Sequence, residues 1–224
     1  MNKPRIEQYL VSICLLTIDE FNGLYGNYQK KDLKEEADMR FNEMDIAVRI
    51  GYPFKQSVRY TVGESVKTRK EQKINHDLFV KNKEFKIEVK YLKNWKSNAG
   101  TWSATKTWAE FQQDFDWLMD EIDSGNKGKS AFVIGWFNCV NSFSQLIQIG
   151  NGCGSHPMVN ESRLCYFPFL TREKKPTRTT DLKYNYESFA YKEFTLNPIS
   201  NRNGIYNCMF LGSESDCFHF AIYY

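Results

Sequence analysis

Two carboxylates and a lysine have the types and spacing of a metal-assisted catalytic site. In segment 85–91 apolar residues alternate with charged ones, so a strand there places Glu88 and Lys90 on one face. With a two-residue turn at Asn82-Lys83, the resulting hairpin places Asp77 opposite Glu88. Directly opposed residues have Cβ atoms about 4.5–5.5 Å apart, near enough for both carboxylates to bind one small divalent cation. Lys90 is then positioned to stabilise developing negative charge or to orient a water.

These residues resemble the motif of the PD-(D/E)XK nuclease superfamily, which includes restriction endonucleases, Holliday-junction resolvases and repair exonucleases. The matching residues are Asp77 and the tripeptide Glu88-Val89-Lys90. The resemblance implies a restriction-endonuclease-like α/β fold, with a mixed β-sheet core flanked by helices. It also implies that Asp77 and Glu88 bind Mg²⁺, for which Mn²⁺ is expected to substitute, and that Lys90 is the third catalytic group. His76 stands where the family often has proline.

The tripeptide alone is not specific. The pattern D/E-x-K occurs six times, beginning at Asp32, Glu71, Glu84, Glu88, Glu173 and Asp181. The Glu88 tripeptide is the one flanked by alternating apolar residues, opposed by an acid, and followed by a predicted helix and a predicted buried strand in the family's order. The alternative interpretation is a solvated strand face that carries charges.

A predicted helix over residues 30–50 carries two acids among apolar residues. At 100° per residue, Glu36 and Glu43 share a face with Met39, Ile46, Ala47 and Ile50, while Ala37, Phe41, Met44 and Val48 line another. The superfamily often uses a glutamate from its first core helix to bind or position the metal. Either Glu36 or Glu43 is therefore expected to assist at the site, unless both lie at the helix edge in solvent.

The positive charge of the chain is concentrated around the candidate site. Residues 67–106 contain 11 basic and 4 acidic residues, a net charge of +7, whereas the whole chain is +3. Clusters of lysine and arginine bind the phosphates of nucleic acids, so duplex DNA is the expected partner. A second basic segment comprises Arg172, Lys174, Lys175 and Arg178. Both segments are also compatible with a solubilising surface.

Periodicity predicts the elements that position these residues. Helical spacing is found over residues 4–24 and 108–122, and strand patterns over 74–80, 85–92 and 131–137. The third predicted helix carries Gln113 and Trp117, which are similar to a glutamine-plus-aromatic motif of exonuclease members of the superfamily. Two late strands are predicted over 204–211 and 217–224.

No linker is visible, so residues 1–224 are expected to form one domain. Residues 30–140 would be the nuclease core. Residues 141–224 would be an aromatic-rich, β-containing extension with room for target recognition or for the contacts of a homodimer, and the sequence leaves the oligomeric state open.

Composition excludes several classes. Hydrophobic residues make up 42 % and charged residues 25 %, which argues against wholesale disorder. The longest apolar run, 9–18, is about half the length that a bilayer requires. The six cysteines form no CxxC pair, so reduced thiols in a cytoplasmic protein are expected.

The sequence therefore predicts a Mg²⁺-dependent restriction-type endodeoxyribonuclease. Two alternatives remain within the same fold: a structure-specific repair nuclease and an RNA nuclease. The rival from another class is a non-catalytic module that binds nucleic acid, a carbohydrate or a protein. Divalent-cation binding discriminates them, because a binding module has no need of Asp77 and Glu88 opposed across a hairpin.

Overall fold

The computed structural model describes residues 4–61, 76–92, 104–139, 143–149, 158–174, 180–197 and 205–224, which form a mixed α/β structure. The helices are α1 (Ile6–Tyr25), α2 (Lys30–Arg40), α3 (Glu43–Gly51), α4 (Ala104–Glu121), α5 (Ser144–Ile147), α6 (Glu161–Leu164) and α7 (Tyr186–Phe189). The strands are β1 (Val58–Tyr60), β2 (Leu78–Val80), β3 (Phe85–Tyr91), β4 (Ser130–Phe137), β5 (Gln148–Ile149), β6 (Met158–Val159), β7 (Leu170–Lys174), β8 (Thr180–Tyr184), β9 (Lys192–Leu196), β10 (Tyr206–Leu211) and β11 (Phe218–Tyr223). A 3₁₀ helix, Tyr52–Ser57, follows α3, and a π-helical turn, Ile122–Asn126, follows α4.

Seven strands form the central sheet, in the order β1-β2-β3-β4-β11-β10-β9. Within this sheet β3 and β4 run parallel, and the other neighbouring strands run antiparallel. A parallel pair needs a crossover connection, usually a helix. Helix α4 lies between β3 and β4 in the chain and is that crossover. The expected mixed α/β architecture is confirmed at this level.

The sheet separates two apolar clusters. All eight residues of β4 and all six of β11 are buried. One cluster packs α1 and α3 against Ile87 and Val89 of β3, and the other packs α4 against Phe132 and Ile134 of β4. A strand covered on both faces reads as a continuous apolar run. This explains why the predicted strand over 131–137, now confirmed as β4, shows no alternation.

The helix predicted over residues 30–50 is wrong as a single element. Phe41 is extended, with φ −111° and ψ 143°, and separates α2 from α3. The break is stabilised by a capping box: the Asn42 side chain accepts a hydrogen bond from the Asp45 N–H, and the Asp45 carboxylate accepts one from the Asn42 N–H. The break also changes the predicted faces, because Met44 and Val48 are exposed.

Phe41 itself supplies a reason for the break. Its side chain is buried, and its ring lies 5.3 Å from that of Phe21 on α1 and 5.1 Å from that of Phe137 on β4. An extended residue between two short helices therefore brings an aromatic ring into the core. The new helix begins at Glu43, which places this residue in the first turn of α3.

The other predicted elements are largely confirmed. The helix predicted over 4–24 corresponds to α1, and the helix predicted over 108–122 corresponds to α4, which begins at Ala104. The two late strands correspond to β10 and β11, which pair antiparallel with Leu211 opposite Phe220. The C-terminal part thus contributes β9, β10 and β11 to the same sheet as β1–β4. In the described ranges, every helix is too short or too polar to cross a bilayer.

Replacing Asn42 by alanine should lower the free energy of unfolding by about 1 kcal/mol, because the cap of α3 is lost. Gln29→Ala is the matched control, since Gln29 precedes α2 in the same position and its side chain makes no cap hydrogen bond. Urea unfolding measures both changes. An equal loss in the two variants would contradict the capping role of Asn42.

Candidate active site

The β2–β3 hairpin has the predicted register. Leu78 pairs with Ile87, and Val80 pairs with Phe85. The connection differs from the prediction: it spans four residues, Lys81–Glu84, rather than a two-residue turn. Glu84 has a φ of +58°, so the chain reverses through a left-handed residue at this point.

Asp77 lies directly before β2, and its carboxylate converges on that of Glu88. The backbone N–H of Asp77 donates to the carbonyl oxygen of Ile87 at 3.0 Å. The Asp77 Oδ2 atom accepts a hydrogen bond from the Val89 N–H at 2.9 Å. The Asp77 and Glu88 carboxyl groups lie close enough for each to change the pKa of the other. A backbone donor on β3 therefore orients the Asp77 carboxylate towards Glu88.

Both carboxylates are costly to ionise in this position. Glu88 is 8 % exposed. Burial raises the pKa of Glu88, and the charges of Asp77 and Asp114 raise it further. Burial also raises the pKa of Asp77, although the Val89 N–H and Lys90 act in the opposite direction. Negative charge is thus concentrated where water screens it poorly.

Lys90 lies between two carboxylates. Its Nζ atom is 3.5 Å from Glu88 Oε1 and 3.4 Å from Asp114 Oδ2. Burial opposes the ammonium form, but the carboxylates of Asp114, Glu43, Glu88 and Asp77 outweigh burial and raise the pKa of Lys90. The lysine is therefore held as a cation.

Of the two candidate helix acids, the structure brings Glu43 into this group. Its carboxyl group lies close enough to the backbone of Tyr91, at the end of β3, for that backbone N–H to lower its pKa. Burial raises the pKa of Glu43, Lys90 lowers it, and Asp77 raises it. Glu36 lies half-buried on α2. Its charge is not among those with the largest effect on the pKa of Lys90 or of Glu88.

Asp114 is a member of the site that the sequence analysis missed. On α4 the sequence indicated Gln113 and Trp117 as candidates. In the structure Gln113 is exposed, and Trp117 is buried in the apolar cluster. The signal was present, because Asp114 lies four residues before the buried Leu118 and so shares its helix face. An acid on an apolar face was the criterion that singled out Glu43.

A second lysine–carboxylate pair joins α4 to β3. Lys86 Nζ lies 2.8 Å from Glu121 Oε2, and Glu121 also accepts hydrogen bonds from Asn126 and Ser130. Lys86 and Lys90 flank Glu88 on one face of β3, and Glu121 and Asp114 face them from α4. The two lysines on the polar face of β3 are therefore each paired with a carboxylate of α4.

The donor set fits a hard divalent cation. Among the described residues, no three His, Cys, Asp or Glu side chains are grouped in the geometry of a metal site. Mg²⁺ is usually bound by one or two carboxylates together with waters and substrate phosphates, which is what Asp77 and Glu88 can provide. Within the set of Glu43, Asp77, Glu88, Asp114 and Lys90, four carboxylates surround one ammonium. A bound cation would relieve their repulsion.

The basic segment 67–106 is described only in part. Lys67, Arg69, Lys70, Lys73, Lys93 and Lys96 lie outside the described residues, as do Lys175 and Arg178 of the second basic segment. Within the described hairpin, Lys86 and Lys90 are paired with acids of α4. Arg172 is likewise paired with Glu161. In these two basic segments, the charges of Lys86, Lys90 and Arg172 are therefore already matched by carboxylates.

Comparisons with models of protein families, with curated proteins and with solved structures found no match.

The Glu88→Gln variant should become more stable relative to the wild type as pH rises in the absence of divalent cations. Because the pKa of Glu88 is raised on folding, wild-type stability falls as pH rises above about 4.3, the value for an unperturbed glutamate, towards the folded value. The Glu88→Gln variant has no carboxyl group at this position, so its stability does not fall with pH for this reason. Urea unfolding over a pH series in EDTA measures the difference between the two proteins.

Glu35→Gln, at an exposed position of α2, is the matched control for this series. A difference between Glu88→Gln and the wild type that stays constant with pH would show that the Glu88 carboxyl does not titrate abnormally.

Proposed function

We propose that this protein is a metal-dependent nuclease of the PD-(D/E)XK superfamily that hydrolyses phosphodiester bonds of DNA. The observation that carries the proposal is the convergence of Asp77 and Glu88 beside Lys90, joined by Glu43 from a preceding helix. Carboxylate pairs of this kind serve metal-assisted hydrolysis.

The chain topology also supports the proposal. Helix α3 precedes three antiparallel strands, β1–β3, and α4 then crosses to β4, which is parallel to β3. This is the succession of helix, hairpin, helix and buried strand that the resemblance implies for residues 30–140. The remaining strands of the sheet would extend this restriction-endonuclease-like core.

Asp77 and Glu88 would hold Mg²⁺, or Mn²⁺ in its place. The cation, when bound, would supply Lewis-acid stabilisation of charge on the phosphate. The Val89 N–H keeps Asp77 oriented for this role. Lys90 remains protonated among the acids, so it serves as a fixed positive charge for the negative charge that develops on the phosphate oxygens. Glu43, near the Tyr91 backbone at the end of β3, would add a further carboxylate beside Lys90.

A restriction-type endonuclease is the form of nuclease that we favour. The C-terminal strands and the β7–β8 hairpin enlarge the compact core and give room for target recognition or for the contacts of a homodimer. Duplex DNA is the proposed substrate because of the +7 charge of segment 67–106. The buried cysteines Cys14, Cys208 and Cys217 are free thiols, which suits a reducing compartment such as the cytoplasm.

Incubation with circular and linear duplex DNA, in Mg²⁺ or in EDTA, tests the activity. We expect nicked or linearised circles in Mg²⁺ and intact DNA in EDTA. Degradation of linear DNA alone would indicate an exonuclease, and cleavage of RNA alone would indicate an RNA nuclease of the same fold. Protein that binds duplex DNA but leaves it intact in Mg²⁺ and in Mn²⁺ would favour the non-catalytic module.

Asp77→Ala and Glu88→Ala should each reduce Mg²⁺-dependent cleavage by more than about 100-fold, the upper end of what loss of an outer-shell partner costs. The fold should persist, because either change relieves carboxylate repulsion. Glu84→Ala is the matched control: Glu84 begins a D/E-x-K tripeptide in the same hairpin, but its side chain is 69 % exposed and pairs with Lys129. Initial rates and circular dichroism measure both effects. Wild-type cleavage by Asp77→Ala would assign the activity to another part of the chain.

The affinity for duplex DNA should depend on the lysines of the basic segment. Removing one lysine that binds a phosphate should reduce the slope of log affinity against log salt by about 0.9, so replacing Lys93 and Lys96 by alanine should flatten it by up to twice that amount. Lys31 and Lys34, exposed on α2, are the matched control pair. Binding is measured in Ca²⁺, so that a divalent cation is present while cleavage is suppressed. An unchanged slope would move the binding surface away from this segment.

A further inference from the structure

The lysine that faces the candidate site is shared by two carboxylates with different surroundings. Lys90 Nζ lies 3.5 Å from Glu88 Oε1 and 3.4 Å from Asp114 Oδ2. Glu88 belongs to the same strand and lies opposite Asp77 across the β2–β3 hairpin. Asp114 approaches from α4, across the interface between helix and sheet. The ammonium therefore has one partner inside the proposed metal site and one opposite it.

The position of Asp114 is set by packing that is independent of the charges. Its helix neighbour Phe115 is buried, and the Phe115 carbonyl oxygen accepts a hydrogen bond from the Tyr206 hydroxyl of β10. The Phe115 ring meets that of Tyr223 on β11 at 4.9 Å in an edge-on arrangement. The backbone that carries Asp114 is thus held by the C-terminal strands, so the carboxylate is a fixed counter-charge for Lys90.

We infer that Asp114 is a positioning residue that shares the Lys90 ammonium with Glu88, so that Lys90 does not bind Glu88 alone and a Glu88 oxygen remains available to a divalent cation. This inference rests on the proposed function. Without Asp114, Lys90 would be left with Glu88 as its ion-pair partner. The ammonium and the cation would then compete for the Glu88 carboxylate. With Asp114, the ammonium stays beside the site between two carboxylates, and Glu88 would keep an oxygen with which to hold the cation.

Two other roles for Asp114 make different predictions. If its pair with Lys90 only fastens α4 to β3, then its loss should resemble the loss of the Lys86–Glu121 pair, which joins the same two elements. If its charge attracts the cation directly, then its loss should weaken cation binding whether or not Lys90 is present. A role through Lys90 requires that the effect disappear when Lys90 is replaced.

A double-mutant cycle separates these roles. The four proteins are the wild type, Asp114→Asn, Lys90→Met and the double variant, with Glu121→Gln as the matched control on the same helix and Asp114→Glu as the conservative variant. Two quantities are measured: Ca²⁺ affinity by titration calorimetry without DNA, and the Mg²⁺-dependent cleavage rate at saturating duplex. The calorimetric readout does not depend on activity.

We expect Asp114→Asn to weaken Ca²⁺ binding several-fold and to lower the cleavage rate about tenfold or more, because misplacing a group in an active site is costly. In the Lys90→Met background the same substitution should change either quantity by less than about twofold, since the interaction it removes is already absent. Asp114→Glu should recover much of the loss, and Glu121→Gln should reduce stability while leaving Ca²⁺ affinity near that of the wild type.

The inference is overturned if Asp114→Asn has the same effect with and without Lys90, or if it behaves like Glu121→Gln. The outcome for the wild type separates this failure from that of the proposed function. A wild type that cleaves DNA, with an Asp114→Asn variant that cleaves and binds Ca²⁺ equally well, removes only the role of Asp114. A wild type that neither binds Ca²⁺ nor cleaves any nucleic acid removes the proposed function and this inference together.

Discussion

Electrostatic repulsion among the carboxylates of Glu43, Asp77, Glu88 and Asp114 is the constraint on which the rest of the site depends. These groups meet at buried and half-buried positions, where burial raises the pKa of each of them. The chain offsets the repulsion with one ammonium, that of Lys90, and with backbone N–H donors from β3. The arrangement persists because apolar packing on the two faces of the sheet holds together the elements that carry the acids.

Each side of the sheet contributes differently to that packing. On one face, Ile87 and Val89 of β3 pack with α1 and α3, so the alternate residues of the strand anchor it while Glu88 and Lys90 point the other way. On the opposite face, α4 packs over β4 and β11 through aromatic rings, including Phe115 against Phe132 at 5.1 Å. Because α4 is the crossover between β3 and β4, its position is set by the parallel pairing of these strands. The crossover helix therefore places Asp114 next to Lys90.

The C-terminal strands are part of this support. Strand β11 lies between β4 and β10, and its residues are buried on both faces. The hydroxyl of Tyr223 donates to the Tyr166 carbonyl, and that of Tyr206 donates to the Phe115 carbonyl. Aromatic residues of segment 141–224 therefore pack beneath α4 and support it.

Local patterns in the sequence determined the hairpin. Alternation along β3 set which residues share a face with Glu88. The predicted two-residue turn and the observed four-residue connection both place Val80 opposite Phe85, so the register is the same. The helices α1 and α4 were predictable from the apolar periodicity within each segment, and the buried strand β4 from its continuous apolar run.

Only the tertiary structure decided the break at Phe41, the choice of Glu43 over Glu36, and the part played by Asp114. Helical propensity runs through residues 30–50 without Gly or Pro. The break is favoured by burial of the Phe41 ring against α1 and β4, partners that are distant in the chain. Likewise Asp114 and Lys90 are separated by 24 positions and meet because α4 crosses over the sheet. A segment's own periodicity does not show which distant segment it will meet, so the fold was needed to show that Asp114 lies against Lys90 and that Glu43 rather than Glu36 lies beside the site.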